Sequence, residues 1–581
     1  IYKRLFDKQG SVASIEELQQ RFFESKPFFA SAGDFKRIPG NPIAYWASDG
    51  VKKAFNDSVT IGEVSFAKFG MSTGNSAYIR AWQEVPINKI GFQFDSPSNF
   101  NMHQYWAPYD KGGPFRKWFG NQTDVVFWKE NGKDIRNSEN SAVRNSQFFC
   151  RPHVSWTLIS SSLFAVRFFE KGFLLDTASN ALYEHDREFD LFLLIAFLNT
   201  KVVFNLLSIL NPSINFSCGV IGLLPIKRFD SDLRKRARGF AEECISLAET
   251  DWNSFETSWN FRDHPLVRND CRAESLDASW NLWLSDCKSR FERMWDLETE
   301  NNRLFIEAYG LQGELSPEVP QDQITLTQPD RGEDIKRLIS YGVGCTMGRY
   351  TLDKPGLIYA HSGNKGFDSN QYKTFPADPD GIIPFMEGDW FHDDASNRLI
   401  EFIGVAWPKE YLEENLKFIV ESLDPNRNGE PRKTIRRYLA NGFFKDHLKT
   451  YKRRPIYWLF SSGNQRAFQC LVYLHRYNES TLSRMRTEYV IPLQGKSASR
   501  IEQLADEIQN ATSTSHRKKM EKERDTLIKQ QAELQSFDEK LRHYADLRIS
   551  LDLDDGVKVN YGKFGDLLAE VKTVTGGNDG D

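Results

Sequence analysis

Residues 189–210 form the most apolar stretch of the chain, and they limit its possible folds more than any other feature. They contain Asp190, Asn199, Lys201 and Asn205. A membrane span needs about 20 mostly apolar residues without such interruptions. The stretch is therefore expected to be a buried helix or helix pair, which demands a core built around it. The chain has 581 residues, and at about 150 residues per domain this corresponds to about four domains. No membrane association is expected.

The net charge is −4, with 27% charged and 13% aromatic residues. That balance excludes global disorder, collagen and a simple coiled coil. A nucleic-acid role has to rest on local basic faces. The cysteines (Cys150, Cys218, Cys244, Cys271, Cys287, Cys345, Cys470) are scattered, odd in number and form no CxxC. A disulfide framework or zinc ribbon is not expected, and a cytoplasmic location is. No signal peptide is visible, and the first residue, Ile1, suggests a fragment of a longer chain.

The fold class expected is α+β and multidomain. Residues 1–35 read as the tail of an upstream domain or a linker. Residues 36–228 alternate short β-like runs (125–128, 154–159, 164–169) with Gly/Asn/Pro turns, closed by the apolar helix. Residues 229–330 hold 21 Asp and Glu against 11 Lys and Arg. They read as a helical spacer, with helical apolar spacing over 233–250 and 282–309 and a stop at Gly310. Residues 331–498 form a mixed C-terminal domain whose second half is basic: 431–490 carry 13 Lys and Arg against three Asp and Glu. Residues 499–546 read as a helical hairpin. It breaks at Thr512-Ser-Thr-Ser515, and Met520, Leu527, Leu534 and Leu541 repeat every seven residues. Residues 547–581 are a C-terminal tail.

Catalytic signals are sparse. The sequence has no HExxH, GxSxG or Walker loop. Asp378-Pro-Asp380 and Glu387 lack the Lys of a nuclease acid–lysine set. Gly342-Val-Gly344-Cys-Thr-Met-Gly348 has its third glycine one residue late for a nucleotide loop, and tight helix packing is the better reading. Asn41-Pro42-Ile43-Ala44-Tyr45 approaches the Asn-Pro-Pro-Tyr signature that holds a flipped adenine. Ile43-Ala44 interrupts it, so a structural turn is expected.

The positive signals point to nucleic acid. Lys111-Gly-Gly-Pro-Phe-Arg116-Lys117-Trp118-Phe-Gly-Asn121 joins cations, flexible backbone and aromatics. Glycines let the backbone approach a phosphate, cations neutralise it, and Arg or Asn pairs with base edges. Ser72-Thr73-Gly74-Asn75 followed by Arg80 is a similar polar loop. Lys449, Lys452, Arg453 and Arg454 form a dense basic run suited to a phosphate track.

Runs spread over most of the chain resemble the adenine-specific DNA methyltransferases of BREX phage-defence systems, the PglX type. They include Phe35-Lys-Arg-Ile-Pro-Gly-Asn-Pro-Ile-Ala-Tyr-Trp46, Met71-Ser-Thr-Gly-Asn-Ser-Ala-Tyr-Ile-Arg-Ala-Trp82, Ile339-Ser-Tyr-Gly-Val-Gly-Cys-Thr-Met-Gly-Arg-Tyr350 and Arg454-Pro-Ile-Tyr-Trp458. The resemblance implies an upstream S-adenosylmethionine-dependent methyltransferase domain, then a target recognition domain over 36–228, a spacer and a C-terminal region. The family's cofactor loop and adenine-binding motif match no position here. No cofactor is therefore expected on this chain and no catalytic residue is carried over; S-adenosylmethionine belongs to the full-length enzyme.

The partners expected are double-stranded DNA and the upstream domain. Ser72, Thr73, Asn75, Arg80, Lys111, Arg116, Lys117 and Asn121 would enter a groove, and Lys449, Lys452, Arg453 and Arg454 would grip phosphates. The alternative is a protein-interaction module whose basic face binds other BREX subunits or an acidic, DNA-mimicking phage protein.

Overall fold

Asp190, Asn199 and Thr200, which interrupt the apolar stretch, are the caps of two helices. Asp190 accepts a hydrogen bond from the Leu193 amide and starts Leu191–Leu198. Thr200 accepts from Val203 and starts Lys201–Leu210. The two helices are bent by 72° at this break, because side-chain oxygens at an N-cap satisfy amides that a continuous helix would pair internally. Among the described residues no single helix is long and apolar enough to cross a membrane. Seven residues of the first helix are buried, in a core shared with Trp156, Leu182, Phe305 and Tyr309.

The computed structural model describes residues 1–3, 5, 14–36, 38–211, 213–425 and 429–576. It is a mixed α and β structure, as expected. Two compact units divide it. The first comprises residues 1–78, 91–252 and 289–327; the second comprises 79–90, 253–288 and 328–581.

In the first unit a four-stranded sheet runs in the order Ser65–Phe69, Ser179–Glu184, His153–Thr157, Arg167–Phe169. All its neighbours are antiparallel, with Phe66 opposite Tyr183, Val154 opposite Leu182 and His153 opposite Phe169. A smaller sheet places Trp106–Asp110 between Asp124–Phe127 (antiparallel) and Leu174–Leu175 (parallel). The β-like runs read from the sequence all contain strands: the first is shifted by one residue and the other two are shorter than read. Ser231–Trp252 and Leu276–Tyr309 are helical, and Gly310 ends the latter at φ +70°. Residues of the latter helix from Ser289 belong to this unit.

The second unit has a three-stranded antiparallel sheet, Ile382–Pro384, Gln469–Tyr473, Tyr457–Ser461. Helices Arg331–Thr346, Ala395–Ala406 and Leu412–Leu423 pack on one another and share its core. The hairpin is present as Ile491–Asn510 and Thr514–Asp546, with Ser513 capping the second helix. Its heptad residues are all buried but serve two cores. Met520 and Leu527 pack with Leu504, whereas Leu534 and Leu541 join the main core of the unit. Met485–Val490 and Leu439–Phe443 are π-helical, a winding that apolar periodicity does not reveal.

Candidate nucleic-acid interface

In the first unit, the edge strand Ser65–Phe69 leads into the loop that carries Ser72, Thr73 and Asn75. Ser72 exchanges two backbone hydrogen bonds with Ala142, of 3.0 and 2.9 Å. Gly74 has φ +70°, and a Cβ there would lie 2.5 Å from the Asn140 carbonyl carbon, so only glycine lets this loop lie flat on 140–141. Thr73 is buried and donates to the Asn75 carbonyl. Asn75 is exposed and accepts from the Ala77 amide at 2.8 Å. Met71 bridges to Asp176, and Asp176 donates its amide to the Asp110 carbonyl at 2.9 Å. The Ser72 loop and the loop beginning at Lys111 therefore flank one strand end.

Asp110 makes the base of the second loop rigid. It is fully buried and accepts from Ser179 Oγ at 2.8 Å and Gly112 N at 3.2 Å. Burial alone would raise its pKa; His153, Arg167 and Ser155 outweigh burial and hold it below the usual carboxylate value. Lys111 itself is exposed.

The other cations of this loop turn inward. Arg116 pairs with buried Asp251 at 2.6 Å and lies over the Trp252 ring. Lys117 is buried against Glu298, with 8% and 4% of the two side chains exposed. Trp118 donates to the same carboxylate at 2.7 Å. Asn121 is buried and donates to the Pro114 carbonyl at 2.9 Å. Gly120, at φ +125°, makes room for Arg116, whose Nε would lie 2.5 Å from a Cβ. The groove-facing placement expected of Arg116, Lys117 and Asn121 thus meets a different geometry. Acids more than 100 positions away in sequence claim the two charges, and a motif of eleven residues carries no record of them.

Arg80 belongs to the second unit, not to the Ser72 loop. It donates to the Asp554 carbonyl at 3.2 and 2.9 Å, and burial lowers its pKa. Arg454 pairs with buried Glu84 at 2.6 Å. Lys449 stands 4.0 Å from Glu333. Lys452 and Arg453 are exposed, at φ +49° and +61°. They follow the C-terminus of Phe444–Thr450, where cations also offset the exposed carbonyls.

Three cations were not singled out from the sequence. Lys68 Nζ lies 5.4 Å from the Phe148 ring centre and 5.9 Å from that of Phe66. Arg151 stands 5.6 Å over Phe148, and Arg144 stands 5.6 Å over Phe69. Among the described residues none of the three makes an ion pair. Cations held over rings keep their charge un-neutralised while losing side-chain freedom. Lys68 lies on the strand that leads into the Ser72 loop, Arg144 stands over Phe69 at the end of that strand, and Arg151 shares the Phe148 ring with Lys68. Phe66-Ala-Lys68 and Phe148-Phe-Cys-Arg151 are aromatic–cation spacings that a count of charge per window overlooks.

Neither near-motif has room for a cofactor or a base. Gly342 and Gly344 lie inside the helix Arg331–Thr346. A Cβ on Gly342 would meet Leu399 and Phe402 at 3.1 Å, and one on Gly344 would meet Tyr350 at 2.7 Å. Tyr45 stacks on Tyr2 at 4.8 Å and donates to the Lys3 carbonyl. These residues do not fit S-adenosylmethionine or a flipped adenine. Among the described residues no group of His, Cys, Asp and Glu could hold a metal ion.

No family model matches the chain. It is 41% identical over 570 residues to the adenine-specific methyltransferase BrxX of Escherichia coli O9:H4 (strain HS), covering 94% of this chain and 46% of that protein. It is 38% identical over 557 residues to the adenine-specific methyltransferase PglX of Lacticaseibacillus casei (strain Zhang), covering 93% of this chain and 45% of that protein. Nearly the whole chain is thus similar to part of two adenine-specific methyltransferases of the BrxX and PglX type, in line with the resemblance of its sequence runs. It spans about half the length of the curated relatives it matches.

Proposed function

We propose that this chain supplies DNA target recognition to an adenine-N6 methyltransferase, with the edge of the first unit as the duplex-contacting surface. The observation that carries the reading is the edge itself: Lys68, Arg144 and Arg151 held over the rings on and against the strand Ser65–Phe69, with exposed Asn75 and Lys111 on the loops at one strand end. Cations would neutralise backbone phosphates, and Asn75 would face base edges. The chain's own residues bind and position the duplex. S-adenosylmethionine would be held by other parts of the full-length enzyme and would supply the methyl group. Lys449, Lys452 and Arg453 would give a second, weaker phosphate contact on the other unit.

Segment exchange tests this reading. Replacing the corresponding segment of a full-length relative with residues 36–228 should change which adenines carry the N6-methyl mark, read by modification-sensitive sequencing. An unchanged methylation pattern from an active chimera would place sequence recognition elsewhere. Retained DNA binding but lost association with other BREX proteins, after charge reversal at Lys452 and Arg453, would instead favour a protein-docking role for that turn.

A further inference from the structure

The second unit holds a cleft of about 810 Å³ beside the helical hairpin. That lies within the range of small-molecule sites, about 300–1,000 Å³. Its walls are the hairpin, the turn between the strands Tyr457–Ser461 and Gln469–Tyr473, and the segment around Trp390.

Each wall is pinned. Glu533 accepts from Ser462 Oγ at 2.7 Å, Gln465 N at 2.7 Å and Ala467 N at 3.2 Å, which fixes the turn to the helix Thr514–Asp546. Arg500 joins the two hairpin helices through Glu523 at 2.9 Å. Lys496 donates to the Trp390 carbonyl at 2.6 Å. The cleft is therefore formed before any ligand arrives, which lowers the cost of binding.

The acids in the lining already have partners. Glu387 accepts from Asn441, Asp389 pairs with Arg436 at 3.1 Å, and Glu523 pairs with Arg500. Three cations of the lining, Arg466, Lys519 and Lys522, are exposed. Among the described residues none of them makes an ion pair. Trp390 offers an aromatic surface, and Gln469 and Gln530, which donate to Ser461 Oγ and the Gln465 carbonyl, keep amide oxygens and second amide protons for a ligand. Cations, an aromatic ring and amides around one cavity of this size match a planar base joined to phosphate.

We infer that this cleft binds a nucleotide, with Lys519, Lys522 and Arg466 on its phosphates and Trp390 with the glutamines on its base. The nucleotide is either free in solution or part of a DNA single strand. The site is separate from the duplex-contacting edge and does not depend on that reading.

The test is calorimetric titration of the whole chain with ATP, tripolyphosphate, adenosine and a (dT)10 strand. ATP or (dT)10 should bind, tripolyphosphate more weakly, and adenosine least. ATP binding assigns the free nucleotide; binding of (dT)10 alone assigns the strand. Lys519→Ala/Lys522→Ala should weaken binding by about tenfold or more, because alanine keeps the helix but removes two charge-assisted contacts. Lys518→Ala/Lys529→Ala makes the same charge change on the same helix outside the cleft and should leave affinity within about twofold. Absence of ATP and (dT)10 binding at millimolar concentration would overturn the inference. So would equal weakening in the two double variants.

Discussion

Residues 431–490 and the edge of the first unit both carry basic charge, but the fold treats them differently. In the basic run, seven of the thirteen cations lie within ion-pair distance of a carboxylate: Arg432, Lys433, Arg436, Lys449, Arg454, Arg484 and Arg486. Most of those acids come from outside the run, from positions such as Glu84, Asp389 and Asp538. Arg476 is buried and donates to the Met347, Asp378 and Pro379 carbonyls. On the edge, Lys68, Arg144 and Arg151 are spread over 84 positions and sit over phenylalanine rings instead. Charge density along a sequence therefore measures what a segment must neutralise; what it can offer a ligand is the cations left without a carboxylate, as over the rings of this edge.

The largest expected effect lies in the core of the second unit. Burial holds His264, His447 and His475 at a pKa of about 3. His447 Nε2 accepts from the Ile456 and Tyr457 amides, both at 3.1 Å, which its neutral form allows. The folded values lie below the unfolded one, about 6.5. Each histidine's contribution is full above pH 6.5 and is lost as pH falls towards 3, at up to about 1.4 kcal/mol per pH unit. Denaturant midpoints should fall steeply below pH 6. Loss of tryptophan-environment signal at unchanged pH dependence in His447→Gln would argue against this origin.

Next is the buried pair of the first unit. Lys117→Ala leaves Glu298 uncompensated and should destabilise by about 3–5 kcal/mol, measured by urea unfolding. A loss below about 1 kcal/mol together with a reduced salt dependence of DNA binding would return Lys117 to the groove. A smaller effect is expected at Arg454→Ala. It strands Glu84, which still accepts from the Val557 and Ala81 amides, so about 1–3 kcal/mol should be lost. DNA affinity of the folded variant should not change.

Much of the fold was legible because its signals are local. The polar interruption of the apolar stretch at Asp190 and Asn199, the stop at Gly310, the break at Thr512-Ser-Thr-Ser515 and the heptad from Met520 to Leu541 all lie within one or two turns of what they control. The packed state of Gly342 and Gly344 followed from the helical spacing before them. The site was less legible because its decisive contacts are remote. Glu298 decides the fate of Lys117, Asp251 that of Arg116, and Asp554 that of Arg80. Phe148 comes to Lys68 across the sheet, and no window of sequence holds both. Asp394 is another case: its neighbours Asp389 and Asp393 suggest an acidic loop, yet it is buried, caps the helix Ala395–Ala406 and pairs with Arg436.

The most direct measurement is the salt dependence of duplex-DNA binding for three proteins: the unaltered chain, Lys68→Ala/Arg144→Ala/Arg151→Ala, and Lys452→Ala/Arg453→Ala. If each edge cation meets one phosphate, the triple variant should lower the log–log slope by about 2.7, at about 0.9 per contact. The double variant should lower it by less than about 1. A triple variant with an unchanged slope, or a double variant with the larger drop, would contradict the account and move duplex contact to the basic run of the second unit.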